Sequence, residues 1–335
     1  MRSLALLFLA IATALLALAG CGERKEAVTP SSIEPLRLVL DYFPNADHAG
    51  LYAAIADGEF RRAGLDVRPQ APSDPAAPLK LLAAGRADLA ISYEPEVLLA
   101  RDRGLRVVAV GAMIQKPLTS IIALGKARIR RPADLKGRTV GTAGIPYQSA
   151  YLRTILADAG LPDNAVKEIN VGFNLVPAML SGKVDATLGA FWNYEGVQLR
   201  LARKHPTIIR MEQAGVPTYN ELVIVARQSD LANGGSRVRR FVQALGRGWE
   251  SARRDPGAAV RALVAANRDL DPRLQLASLR ATLPVVFPGG GHPFGWQDPK
   301  AWDRYGRWMY ENRLLRRPSL PDTAFTNEFL AGQGA

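Results

Sequence analysis

Short apolar runs of strand length alternate with helix-spaced segments along most of this chain, and that alternation restricts its fold more than any single motif. Residues 36–40 form an apolar run and 41–47 a turn-rich segment. From His48 to Phe60 the spacing is helical, with Leu51, Ala54, Ile55 and Phe60 along one face and Gly58 marking the end. A short strand at 65–69, a helix at 76–84 ending at Gly85, a buried strand at 88–91, a helix at 95–103 and a strand at 106–112 follow. Such a series predicts a mostly parallel sheet with helices on both faces. Ligands of such sheets bind beyond the carboxyl ends of the strands, so the segments after Leu40, Ile91 and Val110 are the places to look.

Residues 117–124 read as an extended crossing, after which the alternation restarts. Strands are expected at 139–141, 168–171 and 186–188, with helices at 147–159, 174–180 and 194–202. Residues 221–226 form a second long apolar strand, and beyond it helices are expected at 237–253, 256–267, 272–282 and 300–312. Two alternating units, two crossings and a helical tail predict two α/β lobes around a cleft. Lobe 1 is expected from 35–116 and 227–335, and lobe 2 with the hinge strands from 117–226. The glycine-rich stretch 288–295 reads as a flexible loop.

The N-terminus addresses the compartment. Residues 1–20 hold one charge, Arg2, then an apolar run closing on Leu18-Ala19-Gly20-Cys21, which contains the only cysteine of 335 residues. This is the pattern of a secretory signal, and it resembles a bacterial lipoprotein signal in which Cys21 is lipidated. Residues 22–34 then read as a flexible tether. With 48% hydrophobic and 22% charged residues the rest has a globular composition, and no second apolar stretch is long enough to span a bilayer. The net charge of +12 comes from dispersed basic residues; the densest runs, 128–131 and 237–240, read as solvated element ends. Nucleic-acid binding is therefore not expected. An exported, membrane-tethered and otherwise soluble monomer is expected.

At 40–52, with Asp41-Tyr42-Phe43-Pro44-Asn45 at its head, the chain resembles the solute-binding proteins of bacterial ABC importers related to thiamine-pyrimidine precursor binding. It also resembles the fungal pyrimidine synthases that share their fold. Segments 82–91, 141–146, 189–196 and 324–330 agree, in order, over nearly all of the mature chain. The resemblance implies a type II periplasmic-binding-protein fold, two α/β lobes joined by two hinge strands. It further implies an aminopyrimidine ligand, such as formylaminopyrimidine, and delivery to an ABC permease with its ATPase.

An aminopyrimidine has a flat π-face and an edge with an amine beside a ring nitrogen. It calls for aromatic walls, each worth about 1 kcal/mol beyond area, and a carboxylate on the edge. Trp192-Asn193-Tyr194-Glu195 supplies these within four residues, with Trp192 or Tyr194 for stacking and Glu195 for the edge. The alternative places Trp192 in the core and Glu195 at a helix start as a favourable charge. Tyr42 stands where the family often has tryptophan and takes its stacking role by resemblance. Asn45 joins the candidate site or, like Asp47, caps the helix beginning near His48, and capping is the reading taken for Asp47. His48 is either a neutral donor to ligand or structural; a matching histidine takes part in chemistry in the related synthases. Tyr93 and Glu94 offer another wall and acceptor, or Glu94 is only a helix-start charge before Pro95. The 141–146 turn, with Gly144, has backbone N–H groups for an anion or formyl oxygen, or is a plain strand-to-helix turn.

Competing functions find less support. Pyridoxal-dependent pyrimidine synthesis, as in the fungal relatives, needs a lysine where Tyr93 stands and a cysteine-rich segment that is missing. A sulfonate site needs converging arginines, against Asp41, Glu94 and Glu195; riboflavin needs a wider cleft with similar aromatic walls. His48, His205 and His292 lack metal-ligand spacing, and no nucleophile elbow is present, so neither metal, cofactor nor catalysis is expected.

Overall fold

A computed structural model describes residues 33–232, 235–318 and 321–333. The signal segment 1–20, Cys21 and the tether up to residue 32 lie outside the described residues. The described residues build two five-stranded sheets. Strands β1 (Glu34–Val39), β2 (Leu65–Gln70), β3 (Leu89–Ser92) and β4 (Val107–Ile114) belong to the first. Strands β5 (Thr119–Leu124), β6 (Thr139–Thr142), β7 (Lys167–Asn170), β8 (Ala186–Phe191) and β9 (Pro206–Arg210) form the second. Strand β10 (Leu222–Arg227) returns to the first sheet, giving the orders β2-β1-β3-β10-β4 and β7-β6-β8-β5-β9. The two sheets with their helices are the two lobes of a periplasmic-binding fold.

In each sheet one strand runs against the others. β10 is antiparallel to β3 and β4, and β5 is antiparallel to β8 and β9. Each reversed strand is the one by which the chain enters that lobe from the other. All other strands therefore share a direction within their sheet, and β1, β3, β6 and β8 all end at the cleft. The strand expected at 221–226 thus lies in the first sheet, fully buried between β3 and β4. Strand β9 was not expected from the sequence. It begins with Pro206 and pairs only with β5, and an edge is where a strand tolerates proline.

Besides short helices at Glu59–Arg62, Pro78–Ala83, Gln228–Leu231 and Pro321–Ala324, the described α-helices are α1 (Ala49–Ala56), α2 (Glu94–Asp102), α3 (Pro146–Asp158), α4 (Leu175–Leu180) and α5 (Glu195–Leu201), followed by the tail. The tail comprises α6 (Ser236–Arg254), α7 (Pro256–Ala266), α8 (Pro272–Val286) and α9 (Pro299–Glu311). Three of these tail helices begin with Asp-Pro: Asp255, Asp271 and Asp298 accept from the N–H of Ala258, Arg273 and Lys300, and proline fills N1. The expected helix from His48 to Phe60 is broken at Gly58 (φ 73°), where a four-residue helix at Glu59–Arg62 restarts. The edge of β4 is covered by the tail, with Phe325 bridging Ala109 and Gly295 bridging Ala112. No helix among the described residues is long and apolar enough to cross a membrane.

Candidate functional site

The loop after β1 closes on itself. Asn45 caps the short helix Ala46–His48, its Oδ1 accepting from the Asp47 N–H at 2.8 Å, while His48 Nδ1 accepts from the Asn45 N–H at 3.3 Å. That bond assigns the proton to His48 Nε2, which donates to Asp41 Oδ1 at 2.9 Å. The other carboxylate oxygen of Asp41 accepts from the Tyr93 hydroxyl, also at 2.9 Å. Asp41 is thus held by two buried donors from the ends of β1 and β3.

Across the cleft, Glu195 opens α5 just beyond β8. Its Oε2 accepts from the Phe191 N–H at 2.7 Å, and the side chain is nearly buried. Burial pushes its carboxyl up to about 7, with the Asp47 and Asp41 charges adding and the backbone N–H of Phe191 opposing.

Asp41, Tyr42, Asn45 and Tyr93 from the first lobe face Tyr194 and Glu195 from the second around one narrow cavity. Its free volume is about 20 Å³, room for roughly one water molecule. Ala143, Ile145, Gln148, Leu175, Gly189 and Phe191 complete the wall. Two carboxylates therefore line a cavity whose described walls contain no lysine, arginine or histidine. No group of His, Cys, Asp and Glu among the described residues is arranged to hold a metal ion.

The remaining candidates stand away from the cavity wall. Glu94 is fully buried and turned toward the segment joining β9 to β10, where its Oε2 accepts from both the backbone N–H and Nδ2 of Asn220 at 2.7 Å. Burial raises its carboxyl to about 8 despite those bonds. His48 orients Asp41 from behind. Trp192 points to the crossing between lobes: its Nε1 donates to the Pro117 carbonyl at 2.9 Å and the Arg210 guanidinium lies 4.1 Å from the ring centre. Phe191 and Tyr194, on either side of that stretch, form the aromatic wall instead. Gly144 (φ 79°) packs against Asn170, while its neighbours Ala143 and Ile145 face the cavity. Cys21 lies outside the described residues.

Gln148 and Leu175 were missed by sequence reasoning. Each sits near the start of the helix after a cleft-facing strand, β6 or β7, and that position was the available signal. Gln148 is anchored by the Ala143 N–H, which it accepts at 2.8 Å. It packs so closely on Gly189 (φ 120°) that a Cβ there would overlap its amide.

Polar bonds join the lobes on both sides of the cavity. The Tyr42 hydroxyl donates to the Phe173 carbonyl at 2.8 Å. Asn193 Nδ2 donates to Asp47 Oδ1 at 2.6 Å, and Thr282 donates to the same oxygen at 2.9 Å. Asp47, read from the sequence as a cap, is therefore a buried contact between lobes; Asn45 is the cap.

Comparison with known proteins bears on the family and the fold. The family described as "NMT1/THI5 like" matches residues 45–259. A formylaminopyrimidine-binding protein of Halalkalibacterium halodurans is 33% identical over 318 residues, 94% of this chain and 96% of that protein. A 4-amino-5-hydroxymethyl-2-methylpyrimidine phosphate synthase of Aspergillus parasiticus is 23% identical over 68% of this chain and 69% of its own length. Among solved structures, the alkanesulfonate-binding protein SsuA from Xanthomonas axonopodis pv. citri superposes with a TM-score of 0.69 at 20% identity, covering 88% of this chain and 99% of that one.

Proposed function

The chain belongs to the NMT1/THI5-like family, and from that premise we propose that it is the solute-binding component of an ABC importer for a 4-aminopyrimidine of the formylaminopyrimidine type. The observation that carries this reading is the pair of carboxylates, Asp41 and Glu195, in a cavity with aromatic walls and no basic side chain. An anionic ligand would be repelled there. The sulfonate named for the structural neighbour is thus disfavoured although the fold is shared.

An aminopyrimidine fits the same charges. Glu195 accepts from the exocyclic amine, and its carboxyl and the adjacent ring nitrogen hold one proton between them, a charge-assisted pair. Tyr42, Tyr194 and Phe191 supply faces for the ring. Asp41, already bound by His48 and Tyr93, adds a fixed negative potential without having to move. In this conformation the cavity is too small for a pyrimidine, so entry requires the lobes to part about the two crossings.

The proposal includes export, with Cys21 as a lipid anchor, on the strength of the N-terminal sequence. It also includes handover to a permease, and binding without catalysis. Calorimetric titration with formylaminopyrimidine and with an alkanesulfonate tests the ligand assignment. Saturable heat from the pyrimidine alone is expected; heat from the sulfonate alone overturns it.

A further inference from the structure

Beside the narrow cavity lies a second, larger hollow. Tyr42, Asn45 and Tyr194 line both and so stand at the boundary between them. The outer hollow measures about 550 Å³ against about 20 Å³ inside. Its remaining lining is Phe43, Pro44 and the stretch from Ala266 at the end of α7 to Leu270.

Three features indicate what it holds. Phe43 is 49% exposed, with its ring centre 4.3 Å from that of Phe173 and 5.7 Å from that of Tyr42, so an aromatic shelf faces solvent at the cleft mouth. Arg268, exposed beside Asp269 in the stretch after α7, has no ion pair or hydrogen bond among the described residues, leaving a planar guanidinium free to lie on a ring. At that boundary the Tyr194 hydroxyl accepts from Gln275 Nε2 at 3.1 Å, so its own proton remains available to donate.

We infer that the outer hollow is a subsite for a second ring. The ligand class it selects is a 4-aminopyrimidine joined through a short arm, with a carbonyl or similar acceptor, to an aromatic or heteroaromatic group. The inference rests on the pyrimidine reading of the inner cavity. It adds that the arm passes between Tyr42 and Tyr194, its acceptor meets the Tyr194 hydroxyl, and the second ring lies between Phe43 and Arg268.

The test compares two probes by calorimetry on the full chain: formylaminopyrimidine and its benzoyl analogue, which differ only in the acyl group. The benzoyl compound is expected to bind about tenfold tighter, the gain of one added aromatic contact with its buried area. Ala266→Trp, at an exposed helix end, fills the outer hollow. It should abolish that gain while leaving formylaminopyrimidine within about twofold of its original affinity. Phe43→Ser gives the same comparison should the tryptophan variant fold poorly. Benzoyl binding no tighter than formyl, or variants that weaken both ligands equally, overturns the subsite. Binding of neither probe overturns the pyrimidine reading and the subsite with it.

Discussion

Tyr93-Glu94 in the first lobe and Tyr194-Glu195 in the second occupy matching places. Each follows a cleft-facing strand end, and each glutamate opens a helix, where a negative charge is favoured. Both tyrosines reach the cavity, but only one glutamate does. Glu195 finds its partner four residues back, at the Phe191 N–H, and lines the cavity. Glu94 finds Asn220, 126 residues away, and is drawn into the junction between lobes. The same local motif thus yields a cavity-lining carboxylate in one lobe and a structural tie in the other. A distant partner decides which.

The largest expected effect is on binding. Glu195→Ala should weaken formylaminopyrimidine binding by about 2–3 kcal/mol, since a charge-assisted bond to a buried edge is lost; titration measures it. Glu94→Ala should leave affinity within about threefold and instead lower folding stability by about 1–3 kcal/mol, because the Asn220 donors lose their acceptor; urea unfolding measures that. If both variants lose affinity alike, the contrast between the two glutamates disappears.

The pH dependences sharpen the contrast. The Glu94 carboxyl is raised from 4.5 to about 8, so the folded state retains a proton that the unfolded chain releases. Its contribution to stability is full below about pH 4.5 and is lost as pH rises through 8. Glu94→Gln, which keeps an acceptor for Asn220, should flatten the fall in stability between those values. Glu221, Glu96 and Asp47 act in the same direction and will leave part of the slope.

For binding, the proposed complex would hold one proton between Glu195 and the ring. Above about pH 7 the free carboxyl has lost that proton, so binding must take one up and affinity should fall with rising pH. Glu195→Gln should remove the dependence, as read from dissociation constants between pH 6 and 9. The smallest effect expected is for Tyr93→Phe, which removes one donor from Asp41 and should cost about 1 kcal/mol of affinity.

The alternation of strands and helices was legible because each element carries its own period and its own breaker. Asp-Pro starts in the tail and Gly85 after the helix at Pro78–Ala83 are local signals with local consequences. Legibility ended where an element depends on a remote partner. β9 owes its existence to β5, and β10 joins the first sheet by fitting between β3 and β4. Within the site, the rule of strand ends pointed to the segments that hold Tyr42, Tyr93, Tyr194 and Glu195, while the stacking role of Tyr42 and the choice of Glu195 over a plain helix-start charge came from the family resemblance. Trp192 could not be sorted from Phe191 and Tyr194, because its direction is set by the Pro117 carbonyl 75 residues earlier. His48 and Asp47 have adjacent numbers but separate tasks, one holding Asp41 and the other holding Asn193 and Thr282.

Parallel titration of formylaminopyrimidine into the unmodified protein, Glu94→Gln and Glu195→Gln tests the central claim most directly. The account predicts matching affinities for the first two and a loss of at least about tenfold for Glu195→Gln. Equal binding by all three, or a loss confined to Glu94→Gln, would contradict it.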